Sequence, residues 1–429
     1  LFADWVWDRF ASKHVPNEFV EELDGLGDKL ATITRRFNVL ANMPADTKNL
    51  ITLLEQELEK GLPQWEQALL NKIINHLDGC TWCDGGPTRF PHRKRLPTAP
   101  RCDAFATWGS RAKGGRLFSS RNLDWTSNTG AAASKLITVF DIVDDEKPVL
   151  GGPYATFGFA TGFGAVAGMS SKGITVAEMN LDNSYTTFDG PPFPIRLRMI
   201  LERSDKLSTA RKVWESTNNT DSMNYMIASA KERDAYAIEA IGGRFKAEAP
   251  YTSFSGFFHA NDTIEADATC VVGKTGGGTC GTGDVPAGGG KVKHIGLPLP
   301  EAVWRTNHAL HPTIMATQEP LFNDTTYRYK LLRSMFDEQE AKGPHAIGEV
   351  EAVSIAATLG IKGPDFFSCD PKQFGEHASH VMSVVYAPED EEGGQAAWVS
   401  WEDSTPELKK WRPAACNPYV RVSFSGRFW

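Results

Sequence analysis

Three residues with complementary chemistry, Cys102, Arg121 and Asp124, lie in the stretch R-C-D-A-F-A-T-W-G-S-R-A-K-G-G-R-L-F-S-S-R-N-L-D-W, Arg101–Trp125. Asp103 to Trp108 reads as a strand, Ser110 to Arg116 with its Gly114-Gly115 pair as a hairpin turn, and Leu117 to Trp125 as the returning strand. Such a hairpin carries the end of the second strand back to the start of the first. Arg121 and Asp124 are therefore expected beside Cys102. A thiol, a guanidinium and a carboxylate would then share one end of two strands.

That grouping suits a cysteine that becomes an amino terminus. If the Arg101–Cys102 bond is cut, Cys102 carries a thiol of pKa about 8.5 and an α-amine of about 7.7–8.0. The amine can then act as base for its own side chain, with no histidine required. None occurs between Cys102 and Trp125. Asp124 can orient the amine, and Arg121 can lower the thiol pKa through its charge. The simpler reading of Cys102 is a buried or disulfide-bonded cysteine.

C-x-x-F from Cys102, then G-R-L-F and S-R-N-L-D-W, resemble the N-terminal-nucleophile (Ntn) hydrolases of the choloylglycine hydrolase, acid ceramidase and penicillin acyltransferase group. The form R-N-L-D-W is most similar to the acyl-CoA:6-aminopenicillanate acyltransferase, or C45 peptidase-like, branch. The resemblance covers Cys102 to about Ser400. It implies an α+β fold, a four-layer αββα sandwich, and self-cleavage between Arg101 and Cys102. Asp103 departs from the family, which more often has Thr or Ser there, so contacts on the substrate side are expected to differ.

Two asparagines and an arginine extend the candidate site. Asn180 closes the strand I-T-V-A-E-M-N, and Asn307 stands in W-R-T-N-H at a strand-to-loop step. Acyl transfer needs preorganised donors where the oxyanion forms, and an Asn amide supplies one. Asn180 resembles the family's oxyanion Asn, Asn307 the Asn of its T-N element, and Arg328 the Arg at the head of a helix beside the site. Each has a plainer reading. The asparagines can simply tie down turns, and Arg328 can form an ordinary salt bridge on a helix surface.

Composition narrows the function class. The 429 residues carry a formal charge of −8, which invites neither nucleic acid nor an anionic membrane as partner. No apolar run approaches the length of a membrane span. With Cys102 set aside, six cysteines remain: Cys80, Cys83, Cys270, Cys280, Cys369 and Cys416. Local bridges Cys80–Cys83 and Cys270–Cys280 would leave Cys369–Cys416 as the third pair. C-T-W-C has no second C-x-x-C to complete a zinc site, and as a redox motif it lacks a βαβ context. Sequons at Asn218, Asn261 and Asn323 fit a secretory route, so a secreted or lysosomal protein is expected. The chain begins at Leu1 rather than Met, as expected if an upstream segment such as a signal peptide has been removed.

Residues 1 to about 78 read as helical, with Phe2, Val6, Phe10, Phe19, Leu23, Leu26 and Leu30 at spacings that build an apolar face. Residues 84–101 form a Pro-rich, basic linker. Arg93-Lys94-Arg95 within it is either a protease target or an inert loop tip. The expected organisation is a helical N-terminal segment, 1–101, before a catalytic domain, 102–429. After the first hairpin, strands are expected at Lys135–Val143, Ala155–Ala160, Ala165–Met169 and Ile174–Met179. Helices follow at Pro194–Arg203 and Ser208–Ser216, then strands at Met223–Ala228 and Ala235–Ile241, an alternation that fits a layered α+β architecture.

Several features invite chemistry and do not support it. Gly273–Gly290 lacks G-x-x-x-x-G-K-[ST] and reads as an insertion rather than a phosphate cradle. His377 and His380 in E-H-A-S-H are too close for H-E-x-x-H and read as flanking a strand, Val381–Ala387. The acidic run Glu389–Glu392 reads as a solvated hairpin turn. The sequence therefore points to an amidohydrolase without metal or cofactor, cleaving the C–N bond of a small N-acyl amide. The N-terminal fragment is expected to stay bound after cleavage. The alternatives are an acyltransferase passing the acyl group to an amine, a catalytically silent secreted binding protein, and a cysteine hydrolase that uses His308 as base.

Overall fold

The computed structural model describes residues 11–25, 102–126, 134–142, 150–159, 164–181, 190–242, 253–265, 291–294, 296–315, 318, 323–361, 369–370, 378–389, 394–405 and 410–424. Arg101, Cys80, Cys83, Cys270, Cys280, His377, most of the expected N-terminal helices and the linker lie outside them. A 3₁₀ turn, Ala11–His14, precedes α1 (Asn17–Gly25). The expected first hairpin is β1 (Ala104–Thr107) and β2 (Phe118–Thr126). Its connection is two 3₁₀ turns, Gly109–Arg111 and Lys113–Gly115, rather than one tight turn. Gly114 and Gly115 sit at φ +67° and +68°, the left-handed region that a side chain disfavours.

Next come β3 (Lys135–Phe140), β4 (Tyr154–Phe159), β5 (Ala167–Ser170) and β6 (Ile174–Asn180). Helices α2 (Phe193–Arg203) and α3 (Leu207–Glu215) follow, then β7 (Met223–Ser229), β8 (Asp234–Ile241) and β9 (Phe254–His259). Short strands β10 (Thr263–Glu265) and β11 (Lys291–His294) lead to β12 (Ala302–Arg305). After α4 (Asn323–Glu340) and α5 (Glu349–Ile361) come β13 (Ala378–Ala387), β14 (Gln395–Trp401), β15 (Asp403–Thr405), β16 (Lys410–Arg412) and β17 (Val420–Phe424). The expected elements that fall within the described residues thus stand within a few residues of their positions. His380 is a correction: it lies inside β13, not beside it.

The described residues form a mixed α and β structure with two large antiparallel sheets. One has six strands in the order β12-β1-β2-β13-β14-β17, and the other nine, β11-β10-β9-β8-β7-β6-β5-β4-β3. β15 and β16 pair separately. Side chains alternate across each strand, and three apolar clusters use that alternation. Leu123 and Val384 of the six-stranded sheet share one cluster with Phe157, Met169 and Met226 of the nine-stranded sheet. Phe118 and Val385 fall into a second, with Leu332 and Phe336 of α4 and Ile355 and Leu359 of α5. On the nine-stranded sheet, Val176 and Ile227 join Leu197 and Ile200 of α2 and Trp214 of α3. Strands buried on both faces read as nearly continuous apolar runs, as V-V-Y-A in β13 does.

α1 is anchored to this body. Phe19 is buried, and the Arg198 guanidinium of α2 lies 4.3 Å from the centre of its ring. Glu22 accepts from Arg198, and Glu18 from Arg203. Cys369 and Cys416 are joined by a disulfide, as their parity suggested.

Candidate active site

The hairpin brings the expected groups together. Asp103 and Asn122 exchange backbone hydrogen bonds, 3.2 and 2.9 Å, so the end of β2 lies against the residue that follows Cys102. Cys102 is buried and carries a free thiol, which excludes the disulfide reading. Its Sγ–H points at the main-chain oxygen of Asp124, 3.9 Å away. The thiol stands between the two sheets, in the cluster that joins them.

The rest of Cys102 is held as closely. Its main-chain N–H donates to Asn307 Oδ1 at 2.6 Å, and its carbonyl accepts from Arg328 Nη1 at 2.7 Å. Asn307 stands just past the end of β12, which pairs with β1, so strand register delivers it to the nitrogen. The same Oδ1 accepts from Arg328 Nη2 at 2.9 Å, and Asn307 Nδ2 donates to the main-chain oxygen of Asn180 at 2.9 Å. Asn180 ends β6, so this bond joins the two sheets at the site. Its side chain is half-buried. Arg328 is buried in the first turns of α4, where Asp324 accepts from its Nε at 3.1 Å. The other five expected residues, Arg121, Asp124, Asn180, Asn307 and Arg328, therefore gather around Cys102 or its immediate partners.

Electrostatics at the thiol oppose a resting thiolate. Burial pushes the Cys102 pKa up to about 11; Arg121 pulls it down, and Glu178 and Asp124 push it further up. Arg121 is fully buried, and its Nη2 donates to Glu178 Oε1 at 2.5 Å. Burial alone would lower its pKa, but its partners, the Cys102 sulfur and the Glu178 carboxylate, more than offset that and keep the guanidinium cationic. A protonated thiol so placed needs a base within reach before it can attack.

Four residues of the site were not singled out as functional by sequence reasoning. Glu178 neutralises Arg121; the signal was a carboxylate inside the apolar strand I-T-V-A-E-M-N, since a buried charge demands a partner. Asn122 donates to Asp103 Oδ1 at 2.8 Å and to the carbonyl of Ala356 in α5 at 2.9 Å. Asp103 was expected to alter contacts on the substrate side, but it is buried beneath the site. It faces Arg328 Nη1 at 3.4 Å, and burial raises its pKa to about 6 against the pull of Arg328 and Arg121. His380 pairs directly across from Asp124, with Nε2 4.0 Å from Asp124 Oδ1.

His308, the base of the rival cysteine-hydrolase reading, is engaged elsewhere. Its Nδ1 lies 3.1 Å from Thr306 Oγ1 and 2.9 Å from Thr325 Oγ1, and burial, then Arg305 and Arg328, lower its pKa to about 4. Among the described residues, no group of three or more His, Cys, Asp or Glu side chains could hold a metal ion. No described helix is long and apolar enough to cross a membrane.

No protein-family model and no curated protein matches the sequence. Solved structures do. The N-acylethanolamine-hydrolyzing acid amidase ortholog of Caenorhabditis elegans aligns over 68% of this chain and 95% of its own, at 14% identity and TM-score 0.39. A mutant conjugated bile acid hydrolase from Clostridium perfringens aligns over 76% and 97%, at 12% identity and TM-score 0.39. At that level of likeness, the chain's own site has to carry its functional reading.

Proposed function

We propose that the chain is an Ntn cysteine amidohydrolase, cut between Arg101 and Cys102, with its sheets and flanking helices stacked as a four-layer αββα sandwich. One observation carries the reading. The nitrogen, carbonyl and thiol of Cys102 are each held by a different partner, Asn307, Arg328 and the Asp124 carbonyl. A structural cysteine needs none of these constraints. A residue that must serve as both nucleophile and base needs all of them.

In the uncut chain the nitrogen of Cys102 is an amide and cannot act as base. The Asp124 carboxylate takes the thiol proton as sulfur attacks the Arg101 carbonyl. Collapse breaks the C–N bond as Asp124 passes that proton to the departing nitrogen, leaving a thioester and a free α-amine; water then hydrolyses the thioester to release the Arg101 carboxylate and the thiol. From then on the α-amine replaces Asp124 as base. It accepts the thiol proton as Sγ attacks the substrate carbonyl, and returns it to the departing amine. Water, deprotonated by the same α-amine, releases the acyl group as a carboxylate. Asn180 holds the oxyanion, Asn307 keeps the α-nitrogen in place, and Asp124 orients the ammonium form.

The N-terminal fragment stays bound through α1, whose Phe19, Glu18 and Glu22 contacts to α2 support that role. The Cys369–Cys416 disulfide supports an oxidising, secretory setting. The test is hydrolysis of a panel of N-acyl 4-nitroanilides by the processed protein, read as released nitroaniline. Turnover lost on stoichiometric alkylation of Cys102 is the expected result. Turnover that survives alkylation would overturn the assignment of the nucleophile, and transfer to an added amine in preference to water would make the chain an acyltransferase.

A further inference from the structure

His380 has features that a filler of the core does not need. Its ring is wholly buried, yet among the described residues Nε2 has no hydrogen-bond partner. Nδ1 is occupied, accepting the main-chain N–H of Ala415 at 3.1 Å. A neutral imidazole that accepts at Nδ1 must carry its proton on Nε2. That N–H lies on the side of Asp124, the residue directly opposite in β2.

The fold makes room for this arrangement. The β13–β2 register shifts between His380 and Met382. A bulge re-aims the side chain next to it, and here Val381 and Met382 both enter the inter-sheet core. Gly360 in α5 leaves the space the ring occupies. A Cβ there would overlap Nδ1 and stand 2.6 Å from Cε1. Ala415 belongs to the turn Ala414–Cys416, which the disulfide to Cys369 ties down. A bulge, a glycine and a cross-linked turn thus converge on one ring.

We infer that His380 is a positioning residue, whose Nε2–H, fixed by the Ala415 N–H on its other nitrogen, holds the Asp124 carboxylate in register with Cys102. The inference rests on the self-cleavage reading above and deepens it. The two groups stand 4.0 Å apart in the uncut chain, and the bond closes when the Asp124 carboxylate ionises and turns towards the thiol. The charged groups that bear on the ring are Asp124 and Arg121 from β2 and Arg328 from α4. Burial, then the two arginines, keep the ring neutral, with its pKa lowered to about 3. His380 is therefore a fixed donor across the working range, not a proton carrier.

The test needs no substrate, because self-cleavage is the reaction. First-order cleavage of freshly refolded chain is followed by intact mass from pH 4 to 8. His380→Asn keeps an acceptor for Ala415 but falls short of Asp124, whereas His380→Gln reaches towards it. The expected result is a roughly 10- to 100-fold slower cleavage for His380→Asn, with partial recovery in His380→Gln. The acid limb should also move to higher pH, since a carboxylate that loses a donor to its charged form binds its proton more tightly. A purely structural role would lower thermal stability in both variants and leave the acid limb in place, and that outcome overturns the inference. Should the variants not fold, ¹⁵N-histidine NMR of the uncut Cys102→Ala chain decides: a proton on Nε2 of His380 supports the role, and one on Nδ1 excludes it. An active wild type with indifferent His380 variants removes only the positioning role. A wild type that never cleaves removes the self-cleavage reading, and this inference with it.

Discussion

The Arg121–Glu178 pair gives the site its most demanding energetics. Both side chains are nearly inaccessible, 0% and 4% exposed, and their contact of 2.5 Å crosses from one sheet to the other. Coulomb attraction at an effective dielectric of 20 is roughly 332/(20 × 2.5), or about 7 kcal/mol, before desolvation is counted. Removing one partner strands a buried charge, which costs about 3–5 kcal/mol. Removing both removes the stranded charge as well. In a Cys102→Ala background, where no cleavage intervenes, Arg121→Met and Glu178→Gln should each lose stability in that range. The double variant should fall short of their sum by about 2–3 kcal/mol. Urea unfolding at pH 7 and constant salt measures the cycle. Simple additivity would refute the claim that the two groups form one electrostatic unit beneath the thiol.

Other expectations follow from the same geometry. Asp103, raised from an ordinary 3.8 to about 6, binds its proton more tightly in the folded state. Its stabilising effect is complete below the unfolded pKa and is lost as pH rises through about 6, a swing of about 3 kcal/mol at 1.36 kcal/mol per unit. The stability difference between the Cys102→Ala chain and its Asp103→Asn derivative should change by that order from pH 4 to 8, and parallel curves would contradict it. The Cys369–Cys416 bond closes a separation of 47 residues, so on the chain-entropy model its reduction should cost about 4 kcal/mol. Matched urea melts of the chain with and without Cys369→Ala/Cys416→Ala check this, and coincident curves would count against it. Phe19→Ala should loosen α1, at about 3–5 kcal/mol for a buried Phe. It should let the N-terminal fragment separate on size exclusion after cleavage, whereas continued co-elution would assign its retention to other contacts.

How much was legible in the sequence follows from how local each signal is. The hairpin was readable because Gly114-Gly115 breaks two β-rich runs, and from it the approach of Arg121 and Asp124 to Cys102 followed without any tertiary knowledge. Asn180, Asn307 and Arg328 were reached through resemblance, because nothing in local spacing says that the ends of β6 and β12 and the start of α4 converge on Cys102. Glu178 passed as an ordinary strand residue, its partner being fifty-seven positions away in the other sheet. His380 was placed outside its strand because a bulge between it and Met382 is a property of pairing, not of pattern. Asp103 was read only as a departure from the family on the substrate side, since local pattern does not show that Arg328 of α4 covers it.

The central claim is that Cys102 becomes an amino terminus by its own action. The direct measurement is intact mass and reducing gel analysis of the wild type beside Cys102→Ala, incubated in parallel across pH. Two fragments meeting at Arg101/Cys102 in the wild type, and one undivided chain in the variant, are the predicted result. A wild type that stays whole at every pH, or a Cys102→Ala chain cut at the same bond, would contradict it.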